Sequence, residues 1–389
     1  MSASPPQKPS PKPIVGILDT PLYVGGRSSI AGHSIPAGQA EKAVYKLSAN
    51  ENALGASAEA LAVLAQNQNP AIYPDGHSTA LRDGLADAHN IEAARIVCGT
   101  GSGDLLQLLA HGFLQTGDEF IFSEYGFLLY ELAGRSTGAT PIKVAENDLT
   151  IDVDAMLAAV SDKTKMVFIA NPNNPTGTML GGDEIMRLHA GLRVDIVLVI
   201  DEAYWEYVEA EFHACDFAWA GQYENIVITR TFSKAYGLAA LRLGWCYCPL
   251  DIAAVLNRLR GPFNVSALAQ NAGLAAVRDT EHLGASHAHN RQWRDWLRQQ
   301  LAALDINVRP SHANFILLEF GDSATAQAVD DFLGTKNIIV RGLAAFGLAH
   351  ALRLTIGTEA ANRAVVEALS EFQAEFQAEF QTAFQKSQL

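Results

Sequence analysis

The sequence predicts an α/β protein in which a mixed, mostly parallel sheet is flanked by helices and a smaller α+β domain lies beside it. Three observations lead there. From about residue 57 onward, short β-branched runs alternate with helical patterns, and each run is continuously apolar, as strands buried on both faces are. After about residue 265 the alternation gives way to one long helical stretch followed by short strands. The length, 389 residues, exceeds what one compact core holds.

In chain order, residues 1–45 read as an irregular N-terminal arm punctuated by Gly25-Gly26 and Ile35-Pro36. Met1 to Pro13 is rich in Pro, Ser and Lys and lacks the apolar centre of a signal peptide. Residues 46–265 read as the large domain. Ser57 to Gln66 and Asp104 to Leu114 carry helical spacing, the second after a Gly-rich turn. Glu119–Phe122, Lys165–Ala170, Ile196–Ile200 and Ile226–Thr229 read as buried strands. Residues 266–370 form the expected small domain, with a helical stretch from Ser266 to Ala303 and strands at Phe315–Leu318 and Ile338–Val340. The tail, 371–389, places Phe372, Phe376, Phe380 and Phe384 at four-residue spacing. On an α-helix that stripe drifts by about 40° per repeat, and Glu371, Glu375 and Glu379 repel along it. It reads as an extended terminal helix or as a stripe for a partner.

Composition narrows the function. A formal net charge of -14 argues against a nucleic-acid partner. No apolar run approaches the ~20 residues of a membrane helix. Four cysteines, at 98, 215, 246 and 248, fit neither a disulfide framework nor a zinc site and read as buried apolar residues in a reducing compartment. The eleven histidines contain no His-Glu-x-x-His pattern; His287 and His289 read as solvated, and no metal is expected. The cytoplasm is the expected location.

Four loops follow four expected strands. Gly99-Thr100-Gly101-Ser102-Gly103-Asp104 leads into a helix, as an anion-binding turn or a structural one. Asn171-Pro172-Asn173-Asn174-Pro175-Thr176-Gly177 fixes the path of an amide side chain with two prolines. Asp201 closes an apolar strand, either as a helix N-cap or as the partner of a buried cation such as a pyridinium nitrogen. Thr231-Phe232-Ser233-Lys234, with Arg242 beyond, offers an amine that desolvation would deprotonate, two hydroxyls and a guanidinium suited to a phosphate. Taken singly, Lys234 would more often be a solvated lysine. Together, however, the loops answer an aldehyde, a ring nitrogen, a phenolic oxygen and a phosphate. Arg341, after Ile338–Val340, and Arg353, inside the apolar run Leu352–Thr358, each need a buried anion, from substrate or from a protein carboxylate.

In Lys46 to Asn52, Tyr73 to Gly76, Asn171 to Gly177, Asp201 to Tyr204, Thr231 to Lys234 with Arg242, and Val340 to Thr358, the chain resembles the fold-type I, class I/II, pyridoxal-phosphate-dependent aminotransferases, and among them the histidinol-phosphate aminotransferases. The resemblance runs from about Leu47 to Thr358. It implies that Lys234 forms a Schiff base with pyridoxal 5'-phosphate and moves protons between Cα and C4′. Asp201 would pair with the ring nitrogen, and Asn174 and Tyr204 with the phenolic oxygen. Phe127 would stack on the ring. Ser102, Gly103, Thr231, Ser233 and Arg242 would hold the phosphate, with Tyr73 reaching it from a second subunit, so that a homodimer is implied. Arg353, Arg341, Asn50 and Tyr23 would meet substrate, an amino donor or a 2-oxo acid.

Three places depart from the family pattern: Gly103-Asp104 after the serine of the phosphate loop, Asn52-Ala53-Leu54-Gly55, and Arg341-Gly342-Leu343. The implied reaction is transamination of histidinol phosphate with 2-oxoglutarate in histidine biosynthesis. A broad aromatic amino-acid aminotransferase is the alternative, and Arg341 discriminates because only a phosphate substrate needs it. A dinucleotide-binding protein fits poorly, since Glu119 precedes its strand and the glycine spacing is incomplete. A non-catalytic descendant of the fold is disfavoured by the intact Lys234, Asp201 and Arg242.

Overall fold

The computed structural model describes residues 17–20, 44–66, 69–213 and 216–387. Its strands, in chain order, are β1 (Tyr45–Lys46), β2 (Ile96–Gly99), β3 (Glu119–Ser123), β4 (Thr140–Val144), β5 (Thr164–Ala170), β6 (Val197–Asp201), β7 (Ile226–Thr231), β8 (Gly244–Tyr247), β9 (Asn307–Val308), β10 (Phe315–Glu319), β11 (Ile338–Ile339), β12 (Arg341–Gly342) and β13 (Ala351–Thr355). Seven form one sheet in the order β2-β8-β7-β6-β5-β3-β4, parallel except for β8, which runs against both of its neighbours. The α/β architecture expected from the apolar runs is the one that forms.

The runs are continuous because both faces of this sheet are covered. On β5, Val167 and Ile169 enter one core cluster while Met166, Phe168 and Ala170 enter another. On β6, Leu198 and Ile200 enter the first and Val197 and Val199 the second. With side chains alternating and helices on each side, neither set reaches water.

A four-stranded antiparallel sheet, β12-β13-β10-β9, is built from the C-terminal part of the chain, residues 307–355. Its core joins Ile316, Leu318, Leu352 and Leu354 to the helices Thr280–Ala302 and Glu359–Ser387. Tyr45, the last residue of the expected arm, joins it through β1, which pairs in parallel with β11 and ties residues 45–46 to this part of the chain.

Several boundaries differ from expectation. The stretch from Ser266 to Ala303 is two helices, Ala267–Arg278 and Thr280–Ala302, broken at Asp279, whose side chain accepts from the His282 N–H and caps the second helix. Asp201 is the last residue of β6 rather than the first of a loop, and Arg341 opens its own short strand. Strands β4 and β8 are not among those assigned from the sequence: β4 is half-covered and carries Pro141, and β8 is a four-residue run whose Cys246 reads only as a buried apolar residue. Cys98, Cys246 and Cys248 are buried free thiols, whereas Cys215 lies outside the described residues. Among the described residues, no helix is long and apolar enough to cross a membrane.

Candidate active site

Adjacent parallel strands bring the loops together. The C-terminal ends of β5, β6 and β7 are Ala170, Asp201 and Thr231, and ligands in open α/β sheets gather at such ends. A cavity of about 400 Å³ opens there, lined by Asn50, Ser102, Gly103, Phe127, Asn174, Asp201, Tyr204, Thr231, Ser233, Lys234 and Arg242, with Arg341 and Arg353 from the four-stranded sheet. Thirteen of the sequence-predicted residues therefore share one cavity. Tyr73 does not: it is 78% exposed and stacks on Phe263 at 4.6 Å, on the outer surface. Tyr23 lies outside the described residues.

Asp201 is 4% exposed. Its Oδ1 accepts from the Thr229 hydroxyl at 2.9 Å and its Oδ2 from the Tyr130 hydroxyl at 2.9 Å. Burial pushes its carboxyl up to about 6, against the pull of those two donors. A cation delivered through the cavity would bring it down. Thr229 was within reach of sequence reasoning, since it precedes Thr231 by two strand positions and so shares its face. Tyr130 comes from the distant helix Leu129–Arg135, and no local pattern marks it.

Lys234 is half-buried, and its Nζ donates to the Ala49 carbonyl at 2.9 Å. Burial first, then the nearby Arg353, lowers its ammonium to about 7, so a substantial fraction is the free amine near neutrality. The Tyr204 ring lies 5.7 Å from that Nζ, and the Tyr204 hydroxyl accepts from Asn50 Nδ2 at 2.9 Å.

The N-terminus of helix Ser102–Phe113 supplies an anion cradle. Gly101 caps it at φ +97°, where a Cβ would meet Arg242 Nη2 at 2.6 Å. Across the cradle, Arg242 Nη1 donates to the Ser233 hydroxyl at 3.2 Å. The structure also explains Gly103-Asp104. A Cβ at 103 would meet Leu129 at 2.7 Å, and Asp104 steadies the turn by accepting from the Thr100 N–H at 2.9 Å.

The roof of the cavity comes from the four-stranded sheet. Arg341 and Arg353 are direct cross-strand partners on β12 and β13. Like charges set opposite each other are destabilising unless an anion sits between them. Arg353, 6% exposed, donates to the Ser48 carbonyl at 2.9 Å and to Asn174 Oδ1. Phe346, Glu51, Leu129 and Ser48 also line the space and were not singled out from the sequence. Among the described residues, no group of three or more His, Cys, Asp or Glu is placed to hold a metal. His289 contacts the Gly357 carbonyl at 2.9 Å rather than standing in solvent.

The model of the family described as aminotransferase class I and II matches residues 42–369. The histidinol-phosphate aminotransferase of Paramagnetospirillum magneticum is 47% identical over 364 residues, covering 93% of this chain and 98% of the relative. That of Rhodospirillum rubrum is 48% identical over 362 residues, covering 92% and 96%. In fold, the crystal structure of histidinol-phosphate aminotransferase from Sinorhizobium meliloti in complex with pyridoxal-5'-phosphate superposes with a TM-score of 0.85 at 24% identity, covering 93% of this chain and 98% of that one.

Proposed function

This chain belongs to the aminotransferase class I and II family, and from that premise we propose that it transfers the amino group of histidinol phosphate to 2-oxoglutarate with pyridoxal 5'-phosphate as cofactor. The products are imidazole acetol phosphate and glutamate, and the reaction is reversible and belongs to histidine biosynthesis. The observation that carries the substrate reading is the cross-strand pair Arg341 and Arg353 over a cavity that holds Lys234. Two facing guanidiniums match a phosphate dianion, and one of them suffices for the carboxylate of the second substrate.

The residues present fit the cofactor. Gly101 holds the cradle at φ +97°, a conformation other residues rarely adopt, the ring-nitrogen position has a buried carboxylate, and the aldehyde position has an amine lowered to about 7. When bound, pyridoxal phosphate supplies the electron sink that makes the substrate Cα–H bond acidic. Ser102, Gly103, Thr231, Ser233 and Arg242 would hold its phosphate, Phe127 would flank its ring, and Asn174 and Tyr204 would hydrogen-bond its phenolic oxygen. Asp201 would pair with the ring nitrogen and favour its protonated form. Lys234 would anchor the cofactor, and its amine, lowered toward neutrality, would take and return the proton at the substrate Cα. Arg353 orients the carboxylate or phosphate of either substrate, Arg341 adds a second guanidinium for phosphate, and Asn50 and Tyr23 complete the substrate contacts.

Tyr73 belongs to the same assignment as a residue lent to a second copy of the chain. Its exposed stack on Phe263, with Ile72 69% exposed beside it, supports a homodimer in which it reaches the partner's phosphate site. A cytoplasmic location suits buried free thiols at 98, 246 and 248.

The test is a pair of absorbance titrations on wild type and Lys234→Ala, each loaded with pyridoxal phosphate. Histidinol phosphate is expected to bleach the wild-type cofactor band at lower concentration than phenylalanine, and the variant band not at all. A wild type that takes up no cofactor, or a variant that turns over equally well, sinks the reading. A lower half-saturation for phenylalanine would make the enzyme an aromatic aminotransferase instead.

A further inference from the structure

We propose that Tyr130 is a positioning residue for this reaction, its hydroxyl fixing the Asp201 carboxylate that faces the cofactor ring nitrogen while its ring backs Phe127 in the same cavity. The inference rests on the assignment of Asp201 made above. It starts from geometry. Thr229 and Tyr130 each donate to a different oxygen of Asp201, both at 2.9 Å, so the carboxylate is held from two sides and its plane is set. Thr229 belongs to the neighbouring strand, where it is the direct register partner of Asp201. Tyr130 arrives from the other direction, at the start of helix Leu129–Arg135.

The tyrosine is itself clamped. It is 1% exposed, lies parallel to Phe168 at 5.0 Å and 8°, and meets Phe127 edge-on at 5.9 Å and 90°. One side chain thus links the strand core, the carboxylate and the aromatic face of the cavity. The hydroxyl is the informative atom. Phenylalanine would keep both ring contacts, and a phenol in an apolar core costs free energy unless it finds a partner. Burial, reinforced by Asp201, holds the phenol well above its ordinary value, so it stays a donor throughout the working range. A permanent donor steadies the ionised carboxylate, the form that keeps a proton on a ring nitrogen.

The experiment uses holoenzyme of wild type, Tyr130→Phe, Asp201→Asn and the double variant. The absorbance of bound pyridoxal phosphate is titrated against pH, and kcat and KM for histidinol phosphate are measured. Tyr130→Phe is expected to shift the spectral titration by at least about half a pH unit and to lower kcat roughly tenfold, as loss of a charge-assisted hydrogen bond does. KM should change less than about twofold, because no substrate contact is lost. In the Asp201→Asn background the same substitution should add almost nothing, since the two act as one unit. Incorporation of 3-fluorotyrosine at 130, a stronger donor of nearly the same shape, should shift the titration the opposite way; it keeps the test decisive if the phenylalanine variant folds poorly. A spectral titration and kcat unchanged in Tyr130→Phe, or effects that multiply in the Asp201→Asn background, overturn this proposal alone. A wild type that takes up no pyridoxal phosphate overturns the assigned function, and this proposal with it.

Discussion

The floor and the roof of the cavity are built differently. The floor stands on neighbouring strands of one sheet and on the helix Leu129–Arg135 beside them, and its groups steady one another: Thr229 and Tyr130 on Asp201, Arg242 on Ser233. The roof hangs from the second sheet and is tied to the floor by contacts that leap the chain, such as Arg353 to Ser48 and to Asn174. The floor carries the groups assigned to the cofactor, the roof those assigned to the changing substrate. A site that must hold one molecule through two half-reactions and exchange the other gains from a preorganised half and a half able to shift against it. Substitutions should accordingly split into two kinds, floor variants that lower kcat for every donor and roof variants that act through substrate binding, with Arg341 the one that sorts donors by charge.

The largest effect falls on the floor. Lys234→Ala should lower kcat by roughly 10⁴-fold or more for every donor, the combined loss of the covalent anchor and the proton carrier. Equal loss with histidinol phosphate and phenylalanine is what marks a floor residue. A variant that kept activity with one donor would erase the distinction between the two halves.

Arg353→Ala comes next. Truncating one partner of a buried, hydrogen-bonded charge costs ~2–5 kcal/mol, which is roughly 30- to 5,000-fold in kcat/KM. Both half-reactions should suffer, because the same guanidinium serves donor and acceptor. Arg341→Ala should be milder and selective. Losing one charge-assisted hydrogen bond to phosphate costs ~1.5–3 kcal/mol, seen as a roughly tenfold to hundredfold fall in kcat/KM for histidinol phosphate with phenylalanine almost unaffected. Steady-state kinetics with both donors checks it; equal losses would remove Arg341 from the substrate site.

The same division governs what the sequence made legible. Lys234 and Asp201 sit in short motifs at the ends of strands whose apolar runs are plain, so residue type and strand end locate them together, and Arg242 follows the Lys234 motif within the same loop. Arg353 stood out because an arginine in an apolar run calls for an anion. Its register opposite Arg341 could not be read, since it depends on a two-residue strand, Arg341–Gly342, too short to have a period. Tyr130 stayed hidden because its partner lies 71 positions away and its own helix is ordinary. Phe346 was missed because a short helical turn, rather than a motif, carries it into the cavity. The break at Asp279 was missed for a local reason: a capping aspartate between two helical patterns looks like a polar residue inside one.

The smallest effect on the reaction should come from behind the floor, and it asks whether the floor's rigidity extends through the sheet. Glu202 and Arg230, each one position beyond Asp201 and Thr229, form a buried ion pair at 2.8 Å, with the guanidinium 3.7 Å from the Trp205 ring. Glu206 lies against this pair, faced by Arg230, Glu202, Tyr207 and Tyr236, and burial pushes its carboxyl from 4.5 up to about 7. Below pH 4.5 the folded and unfolded chains both hold that proton. Between 4.5 and 7 only the unfolded chain releases it, so this group's contribution to stability falls as the pH rises, by on the order of 3 kcal/mol in all. Glu206→Gln removes the dependence. Denaturant unfolding followed from pH 4.5 to 8 should show the gap between variant and wild type moving in the variant's favour up to about pH 7 and constant above it. With kcat unchanged, that result assigns Glu206 to the sheet and leaves the floor's chemistry to Asp201; a gap independent of pH would mean that the carboxyl is ionised in the folded chain and that the ion pair behind the floor is larger than two residues.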